Sequence, residues 1–274
     1  MHFDFYCLAV LCYACGTISL LVYIISLREL FSRIGSGLLS AGFVLHTVAL
    51  IFRYYAAGYL PVTNLHESFS FFGWAVVLVY LAVNYKYRIP VMGAFVAPVV
   101  LIFSIIGLAL PKEILPLHPA LKSYWLPFHV IFAFLGDAVF ALAFCVGIMY
   151  LLQERQIKSK QTGGLLVRLP SLEILDELNY RSLTLGFPLL TVGIVTGSVW
   201  ASYAWGSYWS WDPKETWSLI TWFLYAALLH QRLAIGWRGK KAAMMAIVGF
   251  LAVLFTFLGV NLVLSGLHSY SRWS

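Results

Sequence analysis

The chain has little charge. Only 11% of its 274 residues are Asp, Glu, Lys or Arg, whereas soluble domains carry about 25%. That shortage excludes a single water-facing globule. Cysteine is also scarce: Cys7, Cys12, Cys15 and Cys145 are the only four, and each falls inside an apolar run rather than a polar loop. A structural disulfide framework is therefore excluded. Cys12-x-x-Cys15 has the spacing of a redox dithiol, but such pairs work at exposed helix starts that stabilise a thiolate. In an apolar run the inert reading is favoured. No basic stretch precedes the first apolar run and no small-residue cleavage site follows it, so that run is expected to be a retained helix rather than a signal peptide. Internal repeats and low-complexity tracts are missing as well. No basic patch sits on a soluble segment, and nucleic acid is not an expected partner.

What the chain has is hydrophobic residues, 61% of the total. They fall into eight runs: 6–27, 38–59, 68–85, 91–110, 128–152, 183–203, 217–235 and 243–266. Each is long enough, at ~20 residues, to cross a bilayer as a helix. The predicted fold class is all-α, a polytopic membrane protein of about eight transmembrane helices forming a single membrane domain over 1–274. Thirteen of the eighteen Lys and Arg residues fall in the loops of one face, four in those of the other, and Arg53 within a span. The positive-inside rule then puts both termini on the extracytoplasmic side. The net charge of +7 has the lipid bilayer as its partner. The longest cytoplasmic segment, 153–182, is expected to hold a short interfacial helix, because Leu172, Leu175 and Leu178 recur at helical spacing opposite Glu173, Asp176 and Glu177.

One extracytoplasmic loop, 203–217, carries the chemistry-bearing pattern "WGSYWSWDPKETWSLITW" (205–222). Six of the ten tryptophans lie between Trp200 and Trp222. Trp and Tyr gather at membrane interfaces as anchors, and two or three would need no other account. Trp200, Trp205, Trp209, Trp211 and Trp217 together exceed that need and suit a flat shelf for a large planar apolar ligand. Asp212 reads as a helix N-cap, with Pro213 as first helical residue and Glu215 completing a capping box.

Ionisable residues in or beside spans are functional candidates. His129 opens span five and His268 follows span eight, both at the outer face beside the Trp loop. Two imidazoles flanking an aromatic shelf match bis-axial ligation of haem iron; the plainer alternative is a pair of polar interfacial residues. His230 and His46 lie in the inner halves of spans seven and two. Each is either a helix–helix hydrogen-bonding group or a ligand of a second, inner station. His66 starts span three inside another capping-box pattern, Asn64 to Glu67, which favours a local role. Asp137 and Arg53 read as interhelical polar contacts, and the "GIVTG" pair at 193–197 as helix packing.

"WGSYWSWDPKETWSLITW" resembles the tryptophan-rich WWD signature of haem-handling membrane proteins. "GYLPVTNLHESFSFFGW" (58–74) resembles a segment of one branch, the CcsA/ResC-type cytochrome c biogenesis proteins, sometimes labelled CcsB. The resemblance covers essentially the whole chain. It implies a system II cytochrome c synthase (haem lyase) subunit that works with a ResB/CcsB-type membrane partner in the bacterial cytoplasmic membrane or a thylakoid membrane. Its implied cargo is haem b, delivered across the membrane and presented for covalent attachment to the Cys-x-x-Cys-His motifs of apocytochrome c, with thiol-reducing proteins as further partners. No nucleophile is implied in the chain itself. His129 and His268 match the outer axial ligands, and His230 matches an intramembrane ligand. His46 and His66 remain tentative, and Asp212 belongs to the motif. The alternative is a haem transporter or chaperone without ligase activity.

Overall fold

The computed structural model describes residues 1–26, 28–160, 168–260 and 264. Their regular structure is helical, with no strand among them. The helices are α1 (His2–Ser26), α2 (Glu29–Ala57), α3 (Leu65–Tyr87), α4 (Pro90–Ala109), α5 (Trp125–Lys158), α6 (Leu172–Trp205), α7 (Pro213–His230) and α8 (Lys240–Leu254). A 3-10 turn, Pro119–Leu121, precedes α5, and π-helical turns follow α7 (Gln231–Ile235) and α8 (Phe255–Gly259).

Among the described residues, seven helices are long and apolar enough to cross a membrane: α1 to α6, and α8 together with its π-turn. The eighth predicted span, 217–235, is α7 plus the π-turn that follows. Its first turn carries Pro213, Lys214 and Glu215, which leaves the helix less apolar than the others. The helices run past several of the predicted spans. Backbone hydrogen bonding does not stop where apolar side chains do. In place of the short surface helix expected within 153–182, residues 172–182 form the opening turns of α6. No Gly or Pro separates Leu172 from the apolar run, so nothing ends the helix before the span.

The chain forms two compact units. The first holds Met1–Ile114 and Ile148–Leu175; the second holds Leu115–Gly147 and Asp176–Ser274. In the first, α1 packs along α2 and against α4, and α3 packs on α4. Small residues allow the close approach, because lipid gives apolar helices no hydrophobic reason to associate. A Cβ on Gly35 would lie 2.6 Å from Leu20 Cγ, and one on Gly42 would lie 2.6 Å from the Tyr13 ring. Tyr13, Leu20, Phe72, Tyr80 and Met92 are fully buried here.

Arg53, the charge expected in a span, ends in a buried ion pair. Its Nε donates to Glu67 Oε1 at 2.7 Å, with side-chain exposures of 4% and 0%. Its Nη1 also donates to the Lys112 carbonyl at 2.9 Å. Glu67 Oε2 in turn accepts from the Thr63 amide at 2.8 Å, while Asn64 caps α3 by accepting from the Glu67 amide at 2.9 Å. Two buried charges persist here because each is paired with the other and further hydrogen-bonded.

In the second unit, Tyr225 of α7 stacks flat on Phe140 of α5, with ring centroids 3.5 Å apart. Phe134 meets Phe257 edge-on at 5.6 Å. Thr221 and Thr256 exchange a hydroxyl hydrogen bond of 3.0 Å between α7 and the turn after α8.

Candidate functional site

The site is assembled on the second unit around His129. This residue lies in the opening turns of α5, two residues after Pro127. Its Nδ1 lies 2.7 Å from the Gly193 carbonyl oxygen on α6. A ring nitrogen facing a carbonyl at that distance carries the hydrogen, so the lone pair sits on Nε2. Metal-binding histidines are commonly oriented in this way. The ring fits because α6 presents glycine: a Cβ on Gly197 would come within 2.6 Å of His129 Cε1 and Nδ1. A Cβ on Gly193 would lie 3.0 Å from the Ala133 amide nitrogen. The "GIVTG" pair is thus both a helix contact and the seat of the imidazole.

Trp200, one turn further along α6, is 4% exposed. It stacks on His129 with centroids 6.0 Å apart and planes 13° apart. Its indole Nε1 donates to the Ala120 carbonyl at 3.1 Å, which anchors the 3-10 turn ahead of α5. Trp205 meets Trp200 edge-on at 4.9 Å. The loop then turns at Gly206 with φ of 77°, and Ser198 Oγ donates to the Tyr208 carbonyl at 2.6 Å, tying the loop back to α6.

Trp209 and Trp211 lie edge to face at 5.9 Å. Trp211 holds φ of 58°, a left-handed backbone that costs a non-glycine residue about 1–3 kcal/mol. It also keeps 68% of its surface exposed, beside Tyr203 at 71% and Tyr208 at 65%. Burial does not compensate an exposed indole on a strained backbone. Asp212 and Glu215 close the predicted capping box at the start of α7. Glu215 also accepts from the Ser210 amide at 2.7 Å, so the cap fixes the end of the Trp loop. Trp217 packs on Phe255 at 4.3 Å.

The remaining candidates have distinct environments. His268 lies outside the described residues. His230 ends α7 with its side chain exposed. His46 is fully buried in the first unit, with Tyr13 Oη at 3.3 Å from Nδ1 and Ser70 Oγ at 2.8 Å from Nε2. Both its ring nitrogens thus face hydroxyls of neighbouring helices. His66 is buried in the same unit, and its Nδ1 faces the Gly107 carbonyl at 2.7 Å. Among the described residues Asp137 makes no hydrogen bond; Lys214 is the cation acting on it. The four cysteines are free thiols.

Among the described residues, no cluster of three or more His, Cys, Asp or Glu is placed to hold a bare metal ion. A porphyrin brings four nitrogens of its own, so its iron needs only one or two imidazoles. His129 stacked on Trp200 is a single imidazole of the kind that requirement asks for. Sequence reading missed the Gly193 carbonyl, the role of Gly197 and the Ala120 carbonyl. The only signal for them was the small-xxx-small spacing.

Comparison with known proteins adds a family. Residues 62–268 match the model of the cytochrome C assembly protein family. The chain is 41% identical to the cytochrome c biogenesis protein CcsA of Pyropia yezoensis, over 82% of each chain. It is 40% identical to CcsA of Parasynechococcus marenigrum (strain WH8102), over 83% of each. Among solved structures, the cytochrome c haem lyase CcmF superposes on 93% of this chain with a TM-score of 0.66 at 19% identity. The chain spans 46% of that protein's length, and the likeness is one of fold. With the match extending from the start of α3 beyond the described residues of α8, the chain belongs to the cytochrome C assembly protein family, alongside the CcsA-type cytochrome c biogenesis proteins.

Proposed function

We propose that this chain, acting as one membrane domain, holds haem at its extracytoplasmic face for covalent attachment to apocytochrome c. The observation that carries the reading is the His129 imidazole, hydrogen-bonded through Nδ1 to Gly193 and stacked on buried Trp200, at the edge of the Trp loop. The family supports the biological setting and the CcmF fold supports the architecture.

In this reading haem b is cargo rather than a resident cofactor. It supplies the iron and two vinyl groups, and the apocytochrome supplies the nucleophilic thiols. Each attachment forms one C–S bond and opens one vinyl π bond, and the thiol hydrogen ends on the neighbouring carbon. The chain's own residues position and protect. His129 Nε2 offers one axial lone pair and His268 the other. The Trp205, Trp209, Trp211 and Trp217 indoles offer apolar area and stacking, worth about 0.5–1.5 kcal/mol per aromatic pair beyond burial, while buried Trp200 backs the His129 ring. Gly197 and the Gly193 carbonyl keep the imidazole in one orientation, and Asp212 with Glu215 keeps the loop in one shape. His230 serves an inner station during delivery. A ResB-type partner completes the synthase, in a bacterial cytoplasmic or thylakoid membrane.

The test is co-expression of the chain and its ResB-type partner with an apocytochrome. Covalent haem on the apocytochrome is expected, with loss of most of it in His129→Ala and partial recovery on adding imidazole. Haem that co-purifies with the chain but never becomes covalent would support a transporter or chaperone instead. Parental attachment in His129→Ala without imidazole would overturn the outer-site reading.

A further inference from the structure

The charges counted as a topology signal conceal a half-buried pair. Asp176, in the second turn of α6, receives both arms of the Arg232 guanidinium. Nη1 donates to Oδ1 at 2.8 Å and Nη2 to Oδ2 at 2.6 Å. The two side chains are 8% and 16% exposed for Arg232 and Asp176. Asp176 Oδ1 also accepts from the Gly239 amide at 2.7 Å. Arg232 Nη1 reaches the Trp237 carbonyl at 3.2 Å, and the guanidinium lies over the Tyr180 ring at 5.0 Å. The carboxylate therefore grips both ends of the segment between α7 and α8. That segment is irregular: a π-turn over Gln231–Ile235, then Gly236 at φ of 75° and Gly239 at φ of 66°.

His230 immediately precedes this segment. Arg232 is held inward against α6, whereas the side chain of His230, two residues earlier, is exposed. The same stripe of α7 exposes Ile220, Phe223 and Ala227, so the imidazole stands in an otherwise apolar face. π-turns frequently mark functional sites. A bidentate arginine fixes orientation better than a point charge does.

We infer that Asp176 and Arg232 are positioning residues that fix the rotation of the α7 end and so aim His230 outward as a haem ligand. The inference rests on the reading of His230 as an inner ligand. The clamp touches no cargo; it acts through the histidine. Loss of an orienting contact of this kind weakens metal binding roughly 10–100-fold.

The experiment uses the full chain expressed with its ResB-type partner. Asp176→Asn, Arg232→Lys and His230→Ala are compared for haem per protein, absorption spectrum and response to imidazole. Asp176→Asn and Arg232→Lys are expected to lose roughly tenfold in haem affinity, with imidazole restoring haem as it does for His230→Ala. Hydrogen–deuterium exchange at amides 231–239 is expected to quicken in both clamp variants. If His230→Ala keeps parental haem, the ligand reading fails. If His230→Ala loses haem while the clamp variants keep it, the clamp inference alone fails. Loss of haem without imidazole rescue, or unchanged exchange, also overturns the clamp. Should Asp176→Asn not accumulate, Arg232→Lys, which keeps the charge and loses the two-point grip, decides by the same criteria.

Discussion

Gly197 and His129 occupy one space: the volume a side chain would fill at position 197 is taken by the imidazole, 2.6 Å from where the Cβ would be. The contact is with a ring already fixed through the Gly193 carbonyl, so neither partner can move without breaking the hydrogen bond. Gly197→Ala is therefore expected to displace His129 and mimic His129→Ala: less haem retained, an altered spectrum and partial rescue by imidazole, with the protein still inserted. A purified Gly197→Ala protein with the parental spectrum and haem content would show that the ring has no need of that seat.

Trp200 contributes both a stacked face and an N–H. Trp200→Phe keeps an aromatic face but loses the hydrogen bond to Ala120, a cost of about 1 kcal/mol. Trp200→Ala removes a buried indole and is expected to cost about 3–5 kcal/mol. Thermal unfolding in detergent should separate the two by several degrees. Equal melting temperatures would mean that the indole packs less tightly than its burial implies.

The exposed end of the Trp loop distinguishes a shelf from an anchor. Replacing Trp209 and Trp211 together with Phe should leave insertion and melting temperature near parental, because Trp211 is largely exposed. Haem retention and cytochrome attachment should both fall. Parental values for both would leave only the anchoring role.

His268→Ala is expected to behave as His129→Ala does: attachment falls more than haem binding, because one imidazole and the tryptophans remain. The bound haem should oxidise faster in air, followed by its absorption bands. Attachment at the parental rate without imidazole would remove His268 from the site.

The Arg53–Glu67 pair is expected to be a stabilising tie rather than a chemical one. Glu67→Gln leaves a buried guanidinium without its carboxylate, which costs about 3–5 kcal/mol. The double change Arg53→Met with Glu67→Gln should recover much of that loss, since neither charge then remains buried. A double variant no more stable than Glu67→Gln would show that the carbonyl contacts of Arg53, to Lys112 among others, dominate instead.

The features legible in the sequence are those written within a few residues of one another. Apolar runs gave the spans, because a lipid-crossing backbone must hydrogen-bond within its own segment. The capping boxes at Asn64–Glu67 and Asp212–Glu215 were readable because donor and acceptor are three residues apart. The density of tryptophan marked a loop expected at 203–217, of which 206–212 lies between α6 and α7. The surface helix expected in 153–182 was misread because a helix stripe continuous with a span looks the same as one lying on the membrane.

What packing alone decided are partnerships between distant positions. Gly193 is 64 residues from His129, yet its carbonyl determines which imidazole nitrogen carries the lone pair. Asp176 and Arg232 are 56 residues apart, and both looked like ordinary cytoplasmic-side charges. His46 meets Tyr13, 33 residues away, and Ser70, 24 residues away, at its two ring nitrogens. Local pattern determines which segments become helices, because helical hydrogen bonds span four residues. It does not determine helix rotation, which follows from where glycines let neighbours approach. Rotation is what turns a histidine toward a carbonyl, a hydroxyl or open space.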